Sequence, residues 1–205
     1  MSAPYTLYDY LPSGNGYKVR LTAKQLDIPY RLVQMDILKG ATRTPEFLGK
    51  NPNGRIPLLE VPGRGFLAES HAIIGFLAHG SRLIPDDPWL LGQMQQWLSF
   101  EQYNLEPNVA TVRFWLHCQG KSEVELGERL KEKRALGYQA LEVLERGLAG
   151  KRFLVGDRYG LADIALYGYT HVAGEGGFEL GRFPNILAWL ARVQREPKHA
   201  PITAP

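Results

Sequence analysis

Short apolar runs with a period of two alternate with helical patterns in the first part of the chain. Strands are predicted where β-branched and aromatic residues cluster between turn residues, and helices where apolar positions recur every three or four residues. The predicted elements are, in order, a strand at 5–8, a helix at 17–26, a strand at 30–37, a short helix from Pro45 with Thr44 as its cap, a hairpin of 57–61 and 66–68, and a helix at 70–78. This β-α-β-α-β-β-α order predicts a compact α/β layer fold.

After a turn-rich stretch at 80–88, only helical patterns remain. One covers 89–119, and Pro107 inside it is expected to kink or break the helix. The other predicted helices are one opened by a capping box at Ser122 and Glu125 and reaching about Leu148, an apolar and therefore buried one at 162–169, and an amphipathic one at 184–196. The pattern thus predicts an α/β domain over 1–79, a linker over 80–88 and an all-α domain over 89–205.

The composition is ordinary for a globular protein, with 205 residues of which 44% are hydrophobic and 22% charged. The net charge of +3 is dispersed, and the densest basic stretch, Arg129–Arg134, is interleaved with glutamates, which is typical of a solvated helix face rather than a nucleic-acid surface. Cys118 is the only cysteine, so neither an internal disulfide nor a cysteine metal cage can form. Without a signal-peptide pattern or a long apolar run, we expect a cytoplasmic protein that contacts neither membrane nor nucleic acid.

The stretch Asn51–Leu59, followed by Glu69 and Ser70, carries the most specific chemistry. Its Asn-Pro and Asn-Gly pairs mark a tight turn, and the bond between Ile56 and Pro57 is of the kind that can be cis. Ser70 is expected to be a helix N-cap, where free amides attract a carboxylate, and Glu69 beside it could hold an ammonium group. This set suits a small zwitterionic peptide, although a Glu-Ser pair taken alone is equally an ordinary helix cap.

Taken in order, these features resemble the cytosolic glutathione transferase family, in particular bacterial-type members with a Ser-x-Asn pattern similar to the theta and nu classes. The resemblance extends over nearly the whole chain. The segments that carry it are Ser13–Arg20, Pro45–Leu48, Asn51–Leu59, Leu67–Ser70, Gly156–Ile164 and Ala188–Leu190. It implies a thioredoxin-like, glutathione-binding N-terminal domain, an all-α C-terminal helical domain that contributes an electrophile pocket, no metal, and a homodimer.

The resemblance also implies how glutathione is held. Pro57 is expected to be cis, so that Ile56 presents its backbone NH and CO groups to the cysteinyl part of the peptide. Ser70 is expected to take the γ-glutamyl carboxylate, with Glu69 assisting the amine. The candidates for the glycyl carboxylate are Thr42, which falls where related enzymes carry such a side chain, and the nearby cations Lys39, Arg43 and Arg55.

Ser13 and Asn15 are the candidates for activating the thiol. A thiol has an unperturbed pKa of about 8.5, and a hydroxyl donor aimed at the sulfur favours the thiolate. Ser13 matches the family position for that hydroxyl and Asn15 would assist it, but Ser-Gly-Asn-Gly is also ordinary turn composition. The alternatives are Tyr8 and Tyr10, whereas Tyr17 stands in the region where some relatives carry a cysteine, so mixed-disulfide chemistry on the chain is not expected.

The electrophile would lie, in such an architecture, between the loop at 10–12 and the first long helix of the second half. The candidate pocket residues are Tyr10, Leu11, Tyr103, Asn104, Asn108 and Thr111. Helical spacing puts Arg113 and His117 together on another face. Asp163 matches a helix-capping motif of the family, with Gly160 where Ser or Thr is usual, and is expected to serve folding rather than catalysis.

The predicted function is therefore that of a glutathione transferase, which activates the glutathione thiol for attack on the alkyl or aryl carbon of a small electrophile in detoxification. Two alternatives stay open. One is a glutathione-dependent disulfide or peroxide reductase, which the Ser-x-Asn pattern allows. The other is a non-catalytic, glutathione-binding regulatory protein that keeps the fold.

Overall fold

Four strands form one mixed sheet in the computed structural model, which describes residues 5–205. They are β1 (Tyr5–Asp9), β2 (Tyr30–Gln34), β3 (Leu58–Val61) and β4 (Gly65–Ala68), and their order across the sheet is β2-β1-β3-β4. β1 runs parallel to β2, whereas β3 is antiparallel to both of its neighbours. This arrangement confirms the predicted α/β fold. β2 ends three residues before the predicted boundary, because Asp36 then caps a turn of 3-10 helix.

The helices of this first unit are α1 (Gly14–Gln25), α2 (Pro45–Lys50) and α3 (Ser70–Leu77). Thr44 caps α2 as predicted, since its hydroxyl accepts a hydrogen bond from the Phe47 amide at 3.2 Å. α1 begins earlier than the apolar pattern indicated, because its first turn is made of glycine and asparagine and carries no periodicity. α1 and α3 pack against each other.

The described chain divides into two compact units. The first runs up to Ser81 and also takes in Pro197–Pro205, and the second covers Arg82–Glu196. The last nine residues therefore pack with the sheet-containing unit, whereas the sequence pattern grouped them with the helical half. No helix within residues 5–205 combines the length and the apolar character that a bilayer crossing requires.

The second unit is helical. Its segments are α4 (Pro88–Phe100), a π-helical stretch (Glu101–Ala110), α5 (Thr111–Arg113), a second π-helical stretch (Phe114–Cys118), α6 (Glu123–Leu126), α7 (Glu128–Leu148), α8 (Leu161–Thr170) and α9 (Pro184–Val193), with turns of 3-10 helix at Ala173–Gly176 and Leu180–Arg182. α8 is buried along its whole length, as its apolar pattern predicted. The all-α expectation for this part of the chain is confirmed.

Two interruptions distinguish these helices from the predicted ones. Pro107 does not break its helix, because the chain passes it in a wide π-helical stretch that accommodates a residue without an N–H group. The helix opened by Ser122 ends after one turn, since Gly127 adopts a φ of 52° and separates α6 from α7. Glycine permits this backbone conformation, in which other residues are strained.

Candidate functional site

The register of the sheet gathers the predicted binding segments at one end. Tyr8 near the end of β1 pairs with Leu58, and Leu58 in turn pairs with Ala68 at the end of β4. The Ile56–Pro57 bond immediately precedes Leu58, and Glu69–Ser70 immediately follows Ala68. Both segments therefore lie at the sheet end where β1 leads into Ser13, although more than forty positions separate them from it in sequence.

The Ile56–Pro57 peptide bond is cis, as the resemblance implied. The turn that leads into it is stabilised by Asn51, whose amide donates to the Arg55 carbonyl at 2.8 Å and whose side-chain oxygen accepts from the Asn53 amide at 3.2 Å. Pro57 is buried, Ile56 is half-buried and the Arg55 side chain is exposed. The Asn-Pro-Asn-Gly run thus builds a defined turn that delivers the backbone of Ile56 to the end of the sheet.

Ser13 is the N-cap of α1. Its hydroxyl accepts a hydrogen bond from the Gly16 amide at 3.3 Å, and its own amide donates to the Tyr10 carbonyl at 2.7 Å. A hydroxyl that accepts through a lone pair still has its proton to donate, so capping and donation to a ligand are compatible. The side chain is half-buried at a helix N-terminus, where the free amides favour negative charge.

Asn15 joins the start of α1 to the start of α3. Its side-chain oxygen accepts from the Ser70 hydroxyl at 3.2 Å and from the Lys18 ammonium at 2.8 Å. The Nε2 atom of His71 lies 3.5 Å from the same ammonium. Asn15 and Ser70 were both predicted site residues, whereas Lys18 and His71 were not. Lys18 lies within the Ser13–Arg20 segment, and its i,i+3 spacing from Asn15 on α1 was the signal that could have found it. The half-buried Asn15 is thus part of a polar network that spans both helix N-termini.

Ser70 does not occupy the cap position that the sequence analysis assigned to it. Glu69 is the cap, with a φ of 67°, and Ser70 is the first residue of α3. The Ser70 hydroxyl donates to Asn15, so it is engaged with another helix rather than with its own. A positive φ is uncommon outside glycine, and such strained residues concentrate at ligand sites. The Glu69 side chain is exposed and the Ser70 side chain is buried.

The candidates for the glycyl carboxylate lie on and beside a turn of 3-10 helix, Ala41–Arg43. Thr42 is buried within it, and the Arg43 guanidinium donates to the Asn53 carbonyl at 3.2 Å, which ties it to the turn before Pro57. Lys39 is exposed and paired with Asp36 at 3.1 Å. Arg43 is thus hydrogen-bonded to the turn before Pro57, in which the third candidate cation, Arg55, itself lies.

The two tyrosine alternatives differ in their surroundings. The Tyr8 hydroxyl donates to Glu60 at 2.9 Å, and its ring packs edge-on against Phe47 with centroids 6.1 Å apart. Tyr8 therefore belongs to the apolar cluster that packs the sheet against α2 and that also includes Ile56. Tyr10 lies half-buried in the loop before Ser13, to whose amide its carbonyl is bound.

A buried ion pair lies beneath the first turn of α1. Asp9 is fully buried, and its carboxylate lies 3.3 Å from the Arg20 guanidinium. A Cβ atom at position 16 would approach an Asp9 carboxylate oxygen to 1.7 Å, which explains why this position is a glycine. Burial raises the pKa of Asp9 to about 7, although the Arg20 guanidinium acts in the opposite direction. Arg20 also donates to the carbonyl of Leu11, at 2.8 Å, in the loop before Ser13.

The candidate electrophile-pocket residues of the second unit differ in how far they are buried. Tyr103 and Asn104 are exposed, and Thr111 is half-buried. Asn108 is buried: its amide donates to the Asn104 carbonyl at 2.7 Å and its oxygen accepts from Lys133 at 3.1 Å. Asn108 therefore connects its helix to α7 within this unit.

Arg113 and His117 were predicted to lie on one helix face, and both contact the same residue. The Arg113 guanidinium lies 2.6 Å from a Glu175 carboxylate oxygen, and His117 lies 3.4 Å from the same oxygen. Within residues 5–205, no group of histidine, cysteine, aspartate and glutamate side chains has the geometry to hold a metal ion. The site segments themselves offer helix N-termini, hydroxyl and amide donors, and a cis turn.

Comparisons with known proteins agree with this geometry. Residues 3–79 match the family model described as glutathione S-transferase, N-terminal domain, and residues 112–197 match the glutathione S-transferase, C-terminal domain. The crystal structure of a glutathione S-transferase from Pseudomonas fluorescens is 47% identical, covers 98% of this chain and 100% of its own, and superimposes with a TM-score of 0.95. A possible glutathione transferase from Rhodopseudomonas palustris is 43% identical over 99% of this chain and 91% of its own, with a TM-score of 0.96. A disulfide-bond oxidoreductase from Escherichia coli is 27% identical over 92% of this chain and 89% of its own.

Proposed function

Because the chain belongs to the glutathione S-transferase family, we propose that it binds glutathione in its first unit and activates the thiol for attack on a small electrophile. One observation supports this more than any other. The cis Ile56–Pro57 turn, the Ser13 cap of α1 and the Asn15–Ser70 hydrogen bond all lie at the same end of the sheet.

In this proposal the peptide is held by backbone and helix-terminus groups. The backbone of Ile56 binds the cysteinyl part, and the N-terminus of α3 with Ser70 binds the γ-glutamyl carboxylate, which free amides and a positive dipole end favour. The exposed carboxylate of Glu69 pairs with the γ-glutamyl amine. The glycyl carboxylate is assigned to the neighbourhood of Thr42, with Arg43, which is hydrogen-bonded to Asn53, as a supporting cation. Lys39 and Arg55 are further candidates, and because all three cations are exposed their attraction is screened.

The chemical step needs a thiolate near neutral pH. Ser13 donates its hydroxyl proton in a hydrogen bond to the sulfur, which stabilises the charged form and lowers the thiol pKa, and Asn15 assists. The thiol proton leaves to solvent and the sulfur lone pair forms a bond to the electrophilic carbon. With an aryl halide the halide departs with its bonding electrons, and with an unsaturated carbonyl a proton from solvent completes the adduct.

The electrophile's contacts are proposed at Tyr10 and Leu11 of the first unit and, on the second unit, at Tyr103, Asn104 and Thr111. Asn108 is the weakest of the original candidates, because its amide and its oxygen are already hydrogen-bonded to Asn104 and Lys133. The physiological role proposed is detoxification by a cytoplasmic homodimer. Light scattering on the purified protein tests the dimer, and a monomer mass at micromolar concentration would contradict it.

A glutathione-dependent disulfide reductase is the second candidate. It is supported by the likeness to the Escherichia coli oxidoreductase and by the hydrogen-bonded Asn15, an amide donor suited to a thiolate. In that reaction a glutathione thiolate attacks a disulfide and releases one thiolate. A second glutathione then resolves the mixed disulfide, giving oxidised glutathione and the second thiol. The chain itself need not supply a cysteine.

Two measurements test these proposals. Retention on immobilised glutathione, with elution by the free peptide, tests the binding site, and failure to bind would argue against both enzyme readings. Steady-state assays with aryl halides, unsaturated carbonyls, disulfides and peroxides then choose between them. Turnover of the first two classes supports conjugation, turnover of the last two supports reduction, and binding without any turnover favours a regulatory protein.

A further inference from the structure

Lys18 is fully buried in α1, and no role was predicted for it within the Ser13–Arg20 segment. Burying an ammonium group is costly unless it is hydrogen-bonded, and this one donates to the side-chain oxygen of Asn15 at 2.8 Å. The Nε2 atom of His71, in the first turn of α3, lies 3.5 Å from the same nitrogen. The ammonium group thus contacts residues of the candidate site, and the placement of a buried lysine there requires an explanation.

The chemistry of the ammonium determines how the Asn15 amide is oriented. A lysine ammonium has three donors and no acceptor, so the Asn15 atom that faces it at 2.8 Å must be the oxygen. The Ser70 hydroxyl donates to the same oxygen at 3.2 Å. Two donors on one oxygen fix the plane of the amide and direct its NH2 group to the opposite side.

We propose that Lys18 is a positioning residue for thiol activation: it holds the Asn15 oxygen so that the Asn15 NH2 group donates to the glutathione sulfur. The inference rests on the proposed function of this site. A thiolate is only an acceptor, so it gains from an amide presented NH2 first and loses from one presented oxygen first. A cation bound to the amide oxygen also polarises the amide, which makes its N–H groups stronger donors.

The same network connects the two ends of the bound peptide. Ser70, proposed to hold the γ-glutamyl carboxylate, has one hydroxyl proton, and it is donated to Asn15 in the unliganded protein. When the Ser70 hydroxyl donates to the carboxylate instead, Lys18 still donates to the Asn15 oxygen. Lys18 therefore maintains the orientation of Asn15 while glutathione is bound and its thiol is activated.

The central test compares Lys18→Met with Lys24→Met, an exposed lysine on the same helix. The pKa of the bound thiol is measured from thiolate ultraviolet absorbance against pH, together with kcat and the KM for glutathione. Loss of the charge-assisted bond is expected to raise the thiol pKa by about one unit and to lower kcat near pH 6.5 about tenfold, with KM changed less than about threefold. Lys24→Met is expected to behave as the wild type.

A double-mutant cycle separates positioning from a purely structural role. If Lys18 acts through Asn15, then adding Lys18→Met to Asn15→Ala lowers kcat no further. Equal losses in both backgrounds would overturn the proposal, as would a folded Lys18→Met protein with the wild-type thiol pKa. A wild-type protein without any bound thiolate signal would instead contradict the proposed function itself.

Asn15→Asp provides a variant that keeps the buried network. Its carboxylate still accepts from Lys18 and Ser70, but it offers no N–H group to the sulfur. The proposal expects the bound thiol pKa to rise in this variant, with circular dichroism unchanged. A wild-type thiol pKa in folded Asn15→Asp would refute it even if Lys18→Met does not fold.

Discussion

At the scale of single residues, Ser13 has two compatible roles. Its hydroxyl oxygen caps α1 by accepting from the Gly16 amide at 3.3 Å. Its hydroxyl proton is proposed to form a hydrogen bond to the glutathione sulfur. Ser122 is a structural counterpart, because it caps α6 by accepting from the Glu125 amide at 3.2 Å and lies exposed in the second unit. The pair makes it possible to separate a capping effect from a catalytic one.

Ser13→Ala is expected to lower kcat by roughly tenfold to a hundredfold, the cost of one hydrogen bond to a charged group, with a smaller change in glutathione KM. Ser122→Ala removes an N-cap of the same type and is expected to cost about 1 kcal/mol of stability with unchanged turnover. Steady-state kinetics and urea unfolding of both variants provide the check. Equal turnover in Ser13→Ala and the wild type would transfer the role to Asn15 or Tyr10.

Protonation of Asp9 is expected to make the free energy of unfolding depend on pH. Its pKa is raised from 3.8 to about 7 in the folded protein, so between these values the folded state holds a proton that the unfolded state releases. The free energy of unfolding should therefore fall as pH rises from 4 to 7. Asp9→Asn removes the titration and is expected to flatten this fall by roughly 1–4 kcal/mol, leaving the part due to Asp163, whose pKa is also raised to about 7 by burial.

Urea unfolding at several pH values measures the effect. Asp86→Asn, at an exposed aspartate, is the matched control and should leave the pH profile as it is in the wild type. If the unfolding free energy of Asp9→Asn declines as steeply as that of the wild type between pH 4 and 7, the buried Asp9 is not the source.

At the scale of elements, the Asp163 carboxylate joins α8 to the preceding loop and to α9. Asp163 accepts hydrogen bonds from the amides of Gly160 at 3.0 Å and Leu154 at 3.1 Å, and from the indole nitrogen of Trp189 in α9 at 2.8 Å. It thus caps its own helix, holds the preceding loop and fastens the last helix. This agrees with the prediction that Asp163 serves folding.

Asp163→Ala is expected to lower the free energy of unfolding by about 3 kcal/mol or more, because it removes the acceptor of three donors, of which those of Leu154 and Trp189 are buried. The matched control is Asp87→Ala, which removes the exposed cap of α4 that accepts one amide, from Leu90 at 2.9 Å, and should cost about 1 kcal/mol. Denaturant unfolding of both variants tests the difference. Equal costs would mean that the buried contacts of Asp163 contribute little.

At the scale of the whole molecule, the chain returns to its first unit for its last nine residues. The Tyr17 hydroxyl donates to the Ala200 carbonyl at 2.6 Å, and Arg20 donates to the Ile202 carbonyl at 2.9 Å while also binding Leu11. Lys198 pairs with Asp27. The end of the chain is therefore connected, through Arg20, to the loop that precedes Ser13.

Deletion of residues 201–205 is expected to lower the free energy of unfolding by roughly 1–3 kcal/mol, because the buried Arg20 loses the Ile202 carbonyl as an acceptor. It should also lower kcat, since Arg20 holds the carbonyl of Leu11 in the loop that leads into Ser13, the proposed thiol-activating residue. Deletion of residues 203–205 keeps Ile202 and is the control. Thermal unfolding and turnover measure both effects, and identical behaviour of the two deletions would exclude a role for the Arg20–Ile202 contact.

Much of the fold could be predicted from the sequence because its signals are local. The order of strands and helices, the Thr44 cap and the buried α8 follow from periodicity and capping residues that act over a few positions. The failures have equally local causes: the start of α1 carries no apolar periodicity, Gly127 ends a helix by its backbone conformation, and a π-helical stretch absorbs Pro107.

The site divides in the same way. The sequence by itself determined which residues are candidates, and its resemblance to a known family implied the cis Ile56–Pro57 bond that the structure contains. Only the tertiary structure decided which distant groups meet: Ser70 with Asn15, His71 with Lys18, and Arg20 with the Ile202 carbonyl. Local pattern specifies backbone conformation, but hydrogen bonds between residues more than fifty positions apart depend on how the sheet and helices pack, and no short motif records that packing.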